Sequence, residues 1–328
     1  MKNIKTIILI TLLTLSLFLV VGCSSQRRMF SDFQKSDKIK IVTTTTMLKD
    51  LASQIGGDKT YVHSLMNPGV DPHTYAATKL DLDYLMAADL IITSGLHLEA
   101  QTGETIKRLT SRGLKVISVG DILIEKHNNN HEDDIYLLNL EEDNNLYDPH
   151  FWFNVKYWQV ISNYITLELG KLFPNDKVYF DTQNIKYQNE LTLTHEYIIN
   201  KINELEESER VLITAHDAFA YFGDCYGFSV DAIQGISTES EASSKDIESL
   251  IDLVISKNVH VVFIESSVPR KTIDSLIQSA KSRNHQLVIG GELLSDSLGG
   301  PDEVGSNYID MVKYNIDTIV DAIKKERS

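Results

Sequence analysis

The strongest constraint on the fold is a stretch near the middle of the chain. After Pro174 comes NDKVYFDTQNIKYQNELTLTHEYIINKINELEESE, about 30 residues with apolar positions at helical spacing and no internal Pro or Gly. At about 1.5 Å rise per residue, one helix of that length spans a whole domain. A long helix of this kind reads as a backbone between two bodies, and both flanks support that reading.

Before it, short β-rich runs alternate with helical patterns: IKIVTTTT, MLKDLASQIGG, YVHSLM, a helix over 79–87, DLIITSG, a helix near 99–111, then LKVISVG. After it the alternation restarts with RVLITAH, DAFAYFGDCYG, FSVDAI, a helix SSKDIESLIDLVISKN capped by Ser243 or Ser244, VHVVFIESS, VPRKTIDSLIQSAKSRN, HQLVIGG and a last helix from about Val304 to Lys325. Repeated β-α order predicts parallel sheets with helices on their faces. The fold class is therefore α/β, with two lobes, each a mostly parallel sheet with flanking helices, joined by one long rigid helix. The expected boundaries are an N-terminal lobe over 39–175, a connecting helix over 176–208 and a C-terminal lobe over 209–328.

The remaining segments differ in composition. MKNIKTIILITLLTLSLFLVVGC has two early lysines and an apolar run too short to span a membrane, and it ends in VVGC. That ending resembles a bacterial lipobox. Residues 1–22 are expected to be a lipoprotein signal peptide, with Cys23 lipidated and residues 23–38 a polar tether. The other cysteine, Cys225, reads as a small buried residue, so no intramolecular disulfide is expected. Residues 121–147, rich in Asn, Asp and Glu, read mostly as an exposed insertion loop that tight binding does not need. Net charge is −15, and −17 without residues 1–22, which carry two lysines and no acid. Such a surface argues against nucleic acid as a partner and suits a protein that handles cations.

Two of only six prolines fall in the same tripeptide, Asp71-Pro72-His73 and Asp148-Pro149-His150. Proline fixes its own φ and holds the preceding residue extended, so each histidine has little backbone freedom. A metal ligand or a catalytic base needs that. Ligands in parallel α/β sheets bind at the carboxyl ends of the strands. His73 follows YVHSLM, His150 opens a helix, His216 ends VLITAH, and Asp296 follows HQLVIGG. Three imidazoles and a carboxylate make a closed set for a borderline divalent cation. His97, beside Glu99 in SGLHLEA, is a reserve ligand. His63, His195, His260 and His285 read as solvated surface residues, and His127 and His131 as able to touch metal only transiently. Asp71, Asp148, Asp217 and Glu265 are candidates to accept the outer ring N–H of the histidines.

The stretches PGVDPHTY, SGLHLE, DPHFWF, LITAHDAFAYF, AIQGISTESEAS, FIESSVPRKT, GGELLSDSLG and VKYNIDTIV occur in order from Ile39 to the C-terminus. Together they resemble the metal-binding solute-binding proteins of bacterial ABC transporters, the TroA-like group of zinc and manganese receptors. The resemblance implies one divalent ion as cargo, Zn²⁺ or Mn²⁺ with Fe²⁺ also in range, held by His73, His150, His216 and Asp296 between the lobes. It implies delivery to an ABC permease, attachment to the extracytoplasmic face of the cell membrane through lipid on Cys23, and action as a monomer. Manganese-selective relatives often carry Glu where this chain has His216, and zinc-dedicated ones a long His-rich loop in place of residues 121–147. This chain lies between the two patterns. The competing classes are a zinc-dependent hydrolase using the same cluster and a surface adhesin. Neither an H-E-x-x-H helix nor a G-x-S-x-G elbow is present to favour hydrolysis.

Overall fold

The structure, a computed structural model, describes residues 26–140 and 143–327. Its first element is a helix, α1, over residues 26–35, where composition predicted a tether. Phe30 and Phe33, one turn apart, give this polar segment a narrow apolar face. Phe33 is fully buried and meets Tyr61 and Tyr84 edge-on at 5.3 and 5.1 Å. Cys23 lies outside the described residues.

The first half is built on strands β1 (Ile39–Thr43), β2 (Thr60–Ser64), β3 (Leu90–Thr93) and β4 (Val116–Ser118), parallel and in the order β2-β1-β3-β4. Helices α2 (Thr46–Gly56), α3 (Lys79–Ala87) and α4 (Ala100–Thr110) make the crossovers. All four residues of β3 are buried, as expected of a central strand covered on both faces.

Residues 121–147 are more ordered than a loop. Helix α5 (Val119–Asn128) starts at Ser118, whose hydroxyl accepts the Asp121 N–H, and strands β5 (Asn139–Leu140) and β6 (Asp143–Tyr147) pair antiparallel. Ile135 and Leu137 between them enter the main core. Helix α6 (Val155–Leu172) follows, capped by Asn154.

Helix α7 (Lys177–Ile202) is the connecting helix, and it stops six residues short of the expected end, before a short turn at Glu207–Glu209. Its buried residues Phe180, Asn184, Tyr187, Leu191, Thr194, Ile198 and Ile202 recur every three or four positions, one stripe along the helix. That stripe packs on α2 and α6 of the first half.

The second half contains β7 (Val211–His216), α8 (Ala220–Tyr226), β8 (Ser229–Gln234), α9 (Ser244–Ser256), β9 (Val261–Glu265), α10 (Lys271–Ser282), β10 (Val288–Leu293) and α11 (Tyr308–Arg327). Of the two serines that could cap α9, Ser243 does so, in a capping box with Asp246. Strand β7 pairs with β8 and β9 with β10, both parallel, and β7 lies beside β9. Helix α11 packs on the same helix α7 from this side.

The two halves share one core. Leu51 of α2, Trp158 of α6, Leu191 of α7, Phe263 of β9 and Tyr308 of α11 belong to a single buried cluster, and Trp158 stacks on Tyr308 at 4.6 Å. Apolar side chains from both halves packed in one cluster couple the halves. Among the described residues no helix is long and apolar enough to cross a membrane.

Candidate metal centre

The two Asp-Pro-His tripeptides fold alike at the backbone. Asp71 Oδ1 accepts the His73 N–H at 2.9 Å, and Asp148 Oδ1 accepts the His150 N–H at the same distance. Each is an Asx turn, the local bond that Asp forms with a backbone donor two residues on. The side-chain roles then diverge. Asp148 Oδ1 also reaches Nδ1 of its own histidine at 2.7 Å. Asp71 Oδ2 instead accepts the hydroxyls of Thr74 at 3.1 Å and of Thr238, from the opposite half, at 2.6 Å.

His216 is the last residue of β7. Glu265, the last residue of β9, accepts the N–H groups of Ala215 and His216 through Oε1, both at 2.8 Å. Its Oε2 lies 2.5 Å from His216 Nδ1, a close ion-pair contact without hydrogen-bond alignment. Asp296 follows β10 and receives the Ser267 hydroxyl at 3.2 Å. Trp152 buttresses this segment by donating its indole N–H to the Ser295 carbonyl at 3.0 Å.

These elements bring His73, His150, His216 and Asp296 together. All four are buried, none more than 3% exposed, and each offers a ligand atom within 4.8 Å of the others. His73 Nε2 and His150 Nε2 are 3.3 Å apart. His216 Nε2 lies 3.3 Å from Asp296 Oδ2, and His150 Nε2 lies 3.6 Å from Asp296 Oδ1. A tetrahedral ion with bonds of about 2.0–2.1 Å separates its ligands by about 3.3 Å. Three of the donor pairs lie at or near that edge length, and all four atoms fall within 4.8 Å of one another.

Charge and hydrogen bonding agree with the geometry. Burial lowers the His73 pKa to about 4, which leaves a neutral ring with a free lone pair near neutrality. Burial also works to lower His216, but the carboxylates of Glu265 and Asp296 outweigh it and hold the ring well above the ordinary histidine value. His216 must therefore shed a proton before Nε2 can ligate. Burial alone would raise Asp296, yet His216, His150 and His73 hold it well below the usual carboxylate range, so it is anionic. His216 Nε2 and Asp296 Oδ1 are buried without a hydrogen-bond partner, which costs free energy; a cation would satisfy both once His216 has shed its proton.

Asp148 and Glu265 take the outer ring positions expected of them. Asp71 serves backbone and hydroxyl donors, and Asp217 makes no hydrogen bond to a ligand ring; burial, with help from Asp148, pushes its pKa up to about 6. His97 does not join the four and sits exposed on a turn. The remaining histidines are more engaged than surface residues. His63 stacks on Tyr84 at 3.6 Å, His195 meets the Tyr226 hydroxyl at 3.0 Å, and His260 and His285 stack at 4.8 Å. His127 Nδ1 accepts the Leu137 N–H, which commits that ring to structure. Thr238 and Ser267 were missed by sequence reasoning. They lie in QGISTESEA and FIESSVPRKT, but nothing in those strings says which hydroxyl faces the ligands.

The sequence matches the family described as zinc-uptake complex component A, periplasmic, over residues 41–322. It is 38% identical to the zinc-binding protein TroA of Treponema pallidum over 294 residues, 90% of this chain and 92% of that protein. It is 34% identical to the manganese-binding lipoprotein MntA of Bacillus subtilis over 307 residues, 94% of this chain and 96% of that one. The fold is similar to the solved structure of the Treponema pallidum periplasmic zinc-binding protein TroA, with a TM-score of 0.80 over 87% of this chain and 99% of that chain at 39% identity.

Proposed function

The chain belongs to the zinc-uptake complex component A family, and on that premise we propose that it captures one divalent transition-metal ion outside the cytoplasm and hands it to the membrane permease of an ABC importer. The ion is cargo. The proposed ligands are His73, His150, His216 and Asp296. The observation that carries the reading is their convergence: four buried donor residues with ligand atoms within 4.8 Å of one another, three pairs at 3.3–3.6 Å, and two of the atoms without a hydrogen bond. The set closes around the ion with side chains alone, which favours holding over the activated water of a hydrolase.

The anchor is proposed to be lipid on Cys23, with the chain acting as a monomer in three parts: a lobe over 39–175, a joining segment over 176–208 and a lobe over 209–328. The metal relatives bind by name is zinc in one case and manganese in the other, and this chain carries the ligands for either.

Titration calorimetry of apo protein with Zn²⁺ tests the central claim. One tight site per chain is expected, and His216→Ala should weaken it by more than the 10–100-fold typical of losing a supporting carboxylate. Unchanged affinity in His216→Ala, or several tight sites at low metal, would reject the assignment. Intact mass of the native N-terminus tests the lipid on Cys23.

A further inference from the structure

His73 is the one member of the cage that also lines a small cavity of about 110 Å³. The other walls are mostly apolar, including Leu96, Ala100, Leu146 and Pro149 from the first half and Ile236 from the second. The same cavity is lined by a second imidazole, His97. Beyond it lies a larger groove of about 660 Å³ that shares Leu96, His97, Ala100, Leu146 and Tyr147 with the small cavity. Glu104 and Asp121 line that outer groove, with Lys107 as its one ammonium group. The two cavities thus adjoin at a shared wall that includes His97, with a carboxylate-bearing vestibule on one side and His73 on the other.

His97 is held at this position by an unusual backbone. Gly95, Leu96 and His97 have φ of 76°, 52° and 63°, three consecutive left-handed residues of which two carry side chains. Such conformations are costly and persist where the surroundings enforce them. Here Glu99 accepts the N–H groups of Ser94 and Gly95 at 2.7 and 3.0 Å, and Gly120 packs so closely that a Cβ on it would sit 2.7 Å from Leu96 N. The turn is clamped, while the ring it presents takes no hydrogen bond and no ion pair among the described residues.

We propose that His97 is a transient outer metal ligand, which takes the ion at the mouth of an apolar passage and passes it to and from His73. This rests on the reading of the four-residue cage as the cargo site. A hydrated divalent ion cannot enter an apolar channel without losing water, and an imidazole at the mouth replaces a lost water with a nitrogen ligand. The exposed carboxylates of Glu104 and Asp121 in the vestibule raise the local cation concentration ahead of it. A group that acts only on the passage lowers one barrier crossed in both directions. It speeds capture and release alike and leaves their ratio unchanged.

The test is stopped-flow loading of full-length protein in detergent with Zn²⁺ alone, followed by tryptophan fluorescence. Trp152 reports the event because its ring lies 5.2 Å from His150. Release is measured with excess chelator. His97→Asn keeps a residue that tolerates the left-handed turn and removes the imidazole; His97→Ala is the second variant. Both variants are expected to slow association and release by a similar factor, about tenfold, with Kd moving less than about twofold. Unchanged rate constants in both variants would overturn the proposal. So would a loss of affinity carried by faster release alone, which would make His97 a holding or structural residue. Failure of the wild-type chain to bind one Zn²⁺ would instead refute the cargo site, so the two failures are distinguishable.

Discussion

Glu265 grips His216 at both ends, accepting its backbone N–H through Oε1 at 2.8 Å and placing Oε2 2.5 Å from its ring Nδ1. One carboxylate therefore fixes the end of β7, the ring orientation and the nitrogen left free for metal. Glu265→Gln keeps the shape and the backbone acceptor but removes the charge. Zinc affinity is expected to fall about 10–100-fold, the range for partners of ligating histidines. Asp148→Asn should act similarly through His150, where 2.7 Å separates Oδ1 from Nδ1. Calorimetry on both variants decides this, and affinity equal to wild type would show that the carboxylates do not tune the ligands.

Zinc is expected to bind more tightly than manganese. Three imidazoles and one carboxylate suit zinc, and the divalent series places Mn²⁺ at its weak end. Competition titration of apo protein at fixed pH measures the order. Displacement of zinc by manganese at comparable free concentrations would mean a ligand set other than these four.

His63 predicts a pH effect on stability. Burial, with Lys49 adding to it and Asp81 opposing, lowers its pKa to about 4 in the stack on Tyr84. The unfolded chain titrates near about 6.5, so between these values the unfolded state binds more protons. The contribution is present above about pH 6.5 and is lost as pH falls towards 4. His73 acts in the same window, so the informative quantity is a difference. Thermal melts of apo wild type should drop over this range more steeply than those of His63→Phe, which keeps an aromatic stack. Parallel curves would show that His63 is not the group responsible.

Ile135 is fully buried in the main core although it sits in a segment dominated by Asn, Asp and Glu. Ile135→Ala is expected to destabilise the protein by about 2–5 kcal/mol, the usual cost of emptying a buried aliphatic site. Zinc affinity should change little, because Ile135 is neither one of the four proposed ligands nor a group hydrogen-bonded to them. Urea unfolding gives the first quantity and calorimetry the second; a loss below about 0.5 kcal/mol would return the segment to a loop.

The alternation of strand and helix was legible because buried strands such as Leu90–Thr93 write their environment as unbroken apolar runs. His73 and His150 were legible because proline beside a polar residue is a local instruction. What failed was the reading of weakly apolar segments. Helix α1 is drawn into the fold by Phe30 and Phe33 alone, and Ile135 and Leu137 sit in the core while their neighbours advertise solvent. Composition averages over a window, whereas burial is decided one side chain at a time. Thr238 was invisible for another reason: its bond to Asp71 joins residues 167 positions apart, and no local pattern encodes it.

The composition of the proposed cage, three imidazoles and one carboxylate with ligand atoms within 4.8 Å of one another, has a consequence for the hard cations that outnumber transition metals in most fluids. Calcium asks for six to eight oxygens at about 2.3–2.6 Å, and magnesium for six near-octahedral ligands, most of them water. The cage offers one carboxylate and three imidazole nitrogens, too few oxygens for either ion. A core shared between the two halves opposes their spreading to admit more ligands. Weak binding of calcium and magnesium is thus expected from the coordination number the scaffold provides, a penalty built into the four residues and not into the supply of ions around the cell.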